Sequence, residues 1–247
     1  MMIAEAIVRS SKPSIILSYF ELVSIINLPD RADRRREIES QLNRLGSAAN
    51  HGSIEFFPAI RVSATDDWPS RGARGCFLSH YTVLKQARER GLRNILVMED
   101  DCEFKPVKAE FEHEIVRTLS ESTWDIVYLG HREQSDVSGT PTLISTREPI
   151  SCAHLYAVNG TLLDRLIRFL EQVMHRPEGH PEGGPQHYDG ALTMFRAQNK
   201  DVVTLIAVPG LAGQRSSRSD IHGRWFDQVV GLKTLANGLR RTIRRVR

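Results

Sequence analysis

The chain has 247 residues, 40% hydrophobic and 26% charged, with a formal net charge of +3. This balance, without a long low-complexity tract, excludes a disordered or fibrous chain and fits one large globular domain. A chain of this length buries roughly three quarters of the surface of its unfolded form, enough for an extended sheet covered by helices.

Ile15 to Leu28 is moderately apolar but is interrupted by Ser18, Glu21, Ser24 and Asn27, so no membrane span is expected there. It lacks a small-residue cleavage site after a clean apolar core, so no signal peptide is expected either. Within it, Leu22 to Leu28 is β-branched and apolar and stops at Pro29-Asp30, which reads as a buried strand. A helix follows, with Asp30 as its cap, Asp33 in the first turn and an Ile38, Leu42, Leu45 stripe closed by Gly46. Ile54 to Ile60 is a short strand interrupted by Pro58.

From Gly75 to Arg90, Cys76, Phe77, Leu78, Val83, Leu84 and Ala87 recur at helical spacing, and Gly91 ends the helix. Asn94 to Met98 is a central strand, Val107 to Leu119 a helix, Trp124 to Leu129 a strand, and Ala153 to Val158 another. Leu162 to Met174 is a helix, and the Gly/Pro-rich His175 to Pro185 a loop. Ala191 to Gln198 is a helix, Val202 to Val208 a strand, and Pro209 to Gly223 a polar loop. Strands alternating with helices indicate an α/β fold with a mainly parallel sheet and right-handed crossovers.

Ile95 to Asp101 is the most informative segment, because an apolar strand runs straight into Glu99, Asp100 and Asp101. Ligands of open α/β sheets bind beyond the carboxyl ends of strands. Alternation points Glu99 and Asp101 one way and Asp100 the other. A hard divalent cation, Mg²⁺ or Mn²⁺, relieves the repulsion between such acids; a solvated acidic turn capping the next helix is the competing reading. Arg31 and Arg34 or Arg35 extend the buried stripe of the first helix toward its N-terminus, where arginine and helix dipole both suit phosphate. The competing reading there is a solvated basic face. No Gly-rich phosphate loop follows a strand, against a dinucleotide-dependent oxidoreductase or a P-loop enzyme. The three cysteines, Cys76, Cys102 and Cys152, show no C-x-x-C spacing, against a disulfide framework or a zinc knuckle and in favour of a reducing cytoplasm.

Several motifs together resemble glycosyltransferase family 25: Ile26-Asn27-Leu28 with Arg31 and Asp33-Arg34, Gly75 to His80 with Ala87 and Gly91, Leu96 to Asp101, and Trp124 to Gly130. The match runs from about Val23 to Ile221. It implies a GT-A type fold, a Rossmann-like mainly parallel sheet flanked by helices, spanning residues 1–224 as one catalytic domain. It further implies a UDP-sugar donor, usually UDP-galactose, a bound Mn²⁺ (or Mg²⁺), and inversion to a β-linkage. On that pattern Asp101 is a metal ligand, and Glu99 a ligand or a contact to ribose or metal-bound water. Asp100 contacts the nucleotide site or holds the loop, and Asn27 with Arg31 or Arg34 lines the nucleotide site.

Asp189, in His187-Tyr188-Asp189-Gly190, stands where the family carries an acid after its Gly/Pro-rich loop. It reads as the base that deprotonates the acceptor hydroxyl or as a helix N-cap. His80 lies on the apolar stripe with Cys76, and a hydrogen-bonded core histidine organising the adjacent nucleotide-side loop outweighs a catalytic base. Ser79 helps fix that loop, and Cys76 reads as packing. Gln214 and Ser219-Asp220-Ile221 match the family's closing pattern, and His222 reads as a metal ligand or a surface histidine.

The acceptor class expected is a glycan or lipid-linked glycan such as lipooligosaccharide, lipopolysaccharide core or capsule. Two other functions stay open: a metal-dependent phosphoryl or nucleotidyl transferase, and a non-catalytic carbohydrate-binding protein on the same fold. After Asp227 come six Lys/Arg and no acid, while Val229, Val230, Leu232, Leu235, Leu239, Ile243 and Val246 recur at near-helical spacing. Residues 225–247 thus read as a basic amphipathic tail, a peripheral anchor for an anionic membrane surface such as the inner face of the plasma membrane, or else a solvated or packed segment. Nucleic acid is not an expected partner.

Overall fold

The computed structural model describes residues 13–47, 52–132 and 142–215. His222, the Ser219-Asp220-Ile221 pattern and the tail 225–247 lie outside the described residues. In chain order the elements are α1 (Ile15–Tyr19), β1 (Leu22–Asn27), α2 (Ala32–Arg44), β2 (Ile54–Pro58), α3 (Arg71–Glu89), β3 (Asn94–Glu99), β4 (Cys102–Phe104), α4 (Ala109–Glu121) and β5 (Ile126–Gly130). There follow β6 (Thr142–Ser145), β7 (Leu155–Asn159), α5 (Gly160–His175), α6 (Tyr188–Gln198), β8 (Thr204–Val208) and β9 (Ala212–Gln214).

The strands form one sheet in the order β2-β1-β3-β7-β5-β8-β6, with β9 joining β4 to β5. Strands β2, β1, β3, β5 and β8 run one way, so the sheet is mainly parallel; β7 is antiparallel to both β3 and β5, and β6 to β8. A parallel neighbour needs a crossover, usually a helix. Among the described residues no helix separates β5 from β7, and β7 enters the sheet reversed.

Every residue of β1 and of β5 is buried, because helices cover both faces. Leu22, Ile95, Val97, Tyr128 and Tyr156 pack with side chains of α3, α5 and α6. Val23, Ile25, Leu96, Met98 and Val127 turn to the other face, against α1, α2 and α4. The strands therefore read as continuous apolar runs, as expected where both faces are buried. Among the described residues no helix is long and apolar enough to cross a membrane.

Some local expectations are corrected. Asp30 does not cap α2: the cap position is Arg31, without a side-chain cap bond, and both Asp30 carboxylate oxygens accept from Arg61 Nη2 at 2.8 Å. Helix α3 begins four residues before Gly75, where the Ser70 hydroxyl accepts from the Ala73 N–H at 3.0 Å. The polar loop after Pro209 contains β9.

Candidate active site at the carboxyl end of the sheet

Parallel pairing sets Ile26 of β1 opposite Glu99 of β3, so the residues that follow, Asn27 and Asp100, emerge side by side. Asn27 Nδ2 donates to Asp100 Oδ2 at 2.7 Å, and Arg34, from the first turn of α2, donates through Nη1 to Asp100 Oδ1 at 2.9 Å. Both carboxylate oxygens of Asp100 are thereby committed to holding β1, β3 and α2 together. Arg34 also stands 3.8 Å from Asp101 Oδ2. Its neighbours diverge: Arg35 pairs with Glu39 and lies 4.1 Å over the Phe56 ring, and Arg36 is exposed. Arg31 forms two bonds with Asp33, at 3.0 and 2.9 Å.

Glu99 and Asp101 share the opposite side. Strand β9 runs antiparallel to β4, pairing Gln214 with Cys102. The Gln214 amide Nε2 consequently lies 3.4 Å from Glu99 Oε2 and 3.4 and 3.3 Å from the two Asp101 oxygens. Its Oε1 accepts from Arg132 Nη2 at 2.9 Å, which fixes the orientation of the amide. Burial and the adjacent charge of Glu99 push the Asp101 carboxyl up to about 7. At Glu99 burial also pushes upward, but the His80 hydrogen bond and the electrostatic influence of His80, His154 and Arg34 outweigh it, and the carboxyl is held below its ordinary value. Two carboxylates of which one retains a proton near neutrality are an oxygen donor set whose repulsion is unrelieved. Such a set fits a hard divalent cation.

His80 is fully enclosed and bonded at both ring nitrogens: Nε2 to Glu99 Oε1 at 3.3 Å and Nδ1 to Tyr156 Oη at 3.1 Å. The ring stacks on Tyr188 with centroids 4.2 Å apart, and Tyr188 Oη bonds Tyr156 Oη at 2.7 Å. With Glu99 ionised, Nε2–H donates to it and Nδ1 accepts from the tyrosine chain, so a neutral imidazole satisfies every partner. Ser79, expected to help fix the adjacent nucleotide-side loop, is a brace: its hydroxyl donates to Gly75 O at 2.7 Å and accepts from the Ile60 N–H at 2.8 Å. Gly75 is required beside it, since a Cβ there would lie 2.4 Å from Ile60 O.

Asp189 is not an N-cap. His187 holds that position, and Asp189 is the second residue of α6. Its Oδ2 accepts from the Cys152 N–H at 3.1 Å and its Oδ1 from the Gly190 N–H at 2.8 Å, leaving lone pairs on a half-buried carboxylate. Cys152 is held at φ 71°, a strained value for a residue with a Cβ. Its Sγ is 3.7 Å from Gln214 Oε1, so the loop entering β7 touches both Asp189 and the amide that spans the acidic pair. Tyr156, Tyr188 and the bridging role of Gln214 had no signal in the sequence, because each acts across elements far apart in the chain.

The family profile described as "Glycosyltransferase family 25 (LPS biosynthesis protein)" matches residues 21–145. Human procollagen galactosyltransferase 2 is 31% identical over 134 residues, covering 46% of this chain and 21% of that protein. The mouse inactive glycosyltransferase 25 family member 3 is 27% identical over 169 residues, covering 58% of this chain and 28% of that protein. The chain thus spans less than a third of the length of these relatives. A solved glycosyltransferase involved in glycosylation of the major capsid of PBCV-1 overlays with a TM-score of 0.46 at 12% identity, covering 80% of this chain and 94% of that one.

Proposed function

Because the chain belongs to glycosyltransferase family 25, we propose that it moves a sugar, galactose, from a UDP-sugar to a hydroxyl of a glycan acceptor, with inversion at the anomeric carbon. The observation that carries this reading is the adjacent pair Glu99 and Asp101, spanned by one amide, in which burial and the charge of Glu99 raise the Asp101 carboxyl to about 7. Galactose is supported by the name of the procollagen galactosyltransferase relative. The acceptor in this reading is a lipooligosaccharide, lipopolysaccharide core or capsule glycan; of these, the family's description as an LPS biosynthesis protein supports the lipopolysaccharide class.

Glu99 and Asp101 would hold Mn²⁺ or Mg²⁺. Once bound, the cation offsets the charge that develops on the departing nucleotide diphosphate. The chain's own groups supply the rest. Asn27, Arg31 and Arg34 line the nucleotide side, and the Asp100 network keeps that wall rigid. The Ser79 brace and the His80 chain hold the adjoining loop and Glu99 in place. Asp189 accepts the proton of the acceptor hydroxyl as the new glycosidic bond forms and the bond from the anomeric carbon to phosphate breaks.

Calorimetry of UDP with and without Mn²⁺ tests the metal role. UDP is expected to bind more tightly with Mn²⁺, and Asp101→Asn to lose that gain together with slow UDP release from a UDP-sugar. Equal UDP affinity in both conditions and an active Asp101→Asn protein would reject it. A second reading, a non-catalytic carbohydrate-binding protein, is favoured by the relatives described as inactive; absence of UDP release across a panel of UDP-sugars would select it.

A further inference from the structure

Cys76 and His80 are four residues apart on α3 and therefore share one face of the helix. That face meets the end of β3, where the Cys76 thiol sulfur, a His80 ring nitrogen and a Glu99 carboxylate oxygen all lie within 4.8 Å of one another. We propose that this sulfur, nitrogen and oxygen triad is a second metal site, selective for zinc, which shares Glu99 with the oxygen-rich pair. Only the sharing of Glu99 rests on the glycosyltransferase reading.

The donor chemistry separates the two sites. Thiolate and imidazole suit zinc, whereas Mn²⁺ and Mg²⁺ favour carboxylates and water. Zinc bonds of about 2.0–2.3 Å set tetrahedral ligand atoms about 3.5 Å apart. The His80 Nε2 to Glu99 Oε1 distance is already 3.3 Å, so the sulfur makes most of the adjustment. One thiolate and one carboxylate exactly cancel the charge of the ion, which suits an enclosed position.

The hydrogen-bond chain behind His80 accommodates the change. To bind through Nε2, the neutral ring moves its proton to Nδ1 and donates to Tyr156 Oη, now 3.1 Å away. The Tyr156 hydroxyl then turns to donate to Tyr188 Oη, in a bond where either oxygen can be the donor. A partner accepting from the second ring nitrogen is what fixes a ligating histidine. The Cys76 thiol gives its proton to solvent, so net release is one proton per zinc. Occupancy withdraws Glu99 from Asp101, and zinc should inhibit any Mn²⁺-supported transfer.

The test uses the full chain, stripped by chelator and titrated with Co²⁺ as a spectroscopic stand-in. A saturable thiolate-to-cobalt absorption is expected, displaced by Zn²⁺. Cys76→Ser should abolish it and weaken Zn²⁺ binding at least about a hundredfold, beyond the loss typical of outer partners; Cys152→Ser should leave both intact. No such absorption in the unaltered protein, or its survival in Cys76→Ser, overturns the site. Because this readout needs no transfer activity, it is independent of the Mn²⁺ and UDP calorimetry. Where UDP release is measurable, equal zinc sensitivity of the unaltered and Cys76→Ser proteins would overturn the sharing of Glu99.

Discussion

The carboxyl of Asp101, ordinarily near 3.8, is raised to about 7 by burial first and by Glu99 second. A folded-state value above the unfolded one means that the folded state holds the proton more tightly. The fold therefore bears no penalty below about pH 4. The penalty grows as pH rises from there to about 7 and is constant above. At roughly 1.4 kcal/mol per unit, a rise from 3.8 to about 7 costs on the order of 4 kcal/mol at pH 8. Asp101→Asn keeps one oxygen for the Gln214 amide and gives up the second of its two contacts with that amide and the 3.8 Å approach of Arg34. The metal-free variant is thus expected to melt higher than the unaltered protein at pH 8, by roughly 2–4 °C per kcal/mol recovered. The gap should close toward pH 4, and Mn²⁺ should raise the melting temperature of the unaltered protein alone. Thermal melts at the two pH values decide this, and superimposed melts at pH 8 would remove the strain from Asp101.

Helix α6 shows how one element serves two sides of the site. Its first residue, Tyr188, stacks on His80, which bonds Glu99, while the next, Asp189, anchors the strained Cys152 loop. Asp189→Asn retains an oxygen for the Cys152 N–H but cannot take up a proton as a carboxylate does. Turnover is expected to fall at least about a hundredfold with donor affinity little changed. Steady-state rates beside UDP calorimetry separate the two, and a variant keeping most of its turnover would reduce Asp189 to an anchor for the loop. The strands β1 and β3 and the acids beyond β3 were legible because an apolar run ending in carboxylates is a local pattern. The reversal of β7 was not, since Leu155 to Asn159 reads as a buried strand in either direction. Strands β4 and β9 have three residues each, too few to show a period, and with them the approach of Gln214 to Asp101 stayed hidden. The group that Ser79 holds, the Ile60 N–H, lies 19 residues away in the chain and left no mark in the sequence.

Charge is divided unevenly over the whole chain. The six Lys/Arg after Asp227 exceed the formal net charge of +3, so residues 1–227 sum to −3. An anionic surface would repel that part and attract the tail, and with about 1 kcal/mol for each basic residue near such a surface the tail alone would hold the protein at the membrane, where the proposed lipid-linked acceptor lies. The apolar residues Val229 to Val246, at near-helical spacing, would add burial at the lipid interface. Gly231 and Gly238 oppose a continuous helix, so the charge is the firmer half of the argument, and it weakens with salt. The full chain is expected to sediment with anionic vesicles at low salt and to be released as salt rises. A chain ending at Gln228 should remain in solution, and neutral vesicles should retain neither. Equal binding of both chains to anionic vesicles would move the contact to residues before the tail, and no binding by the full chain at low salt would reject the anchor.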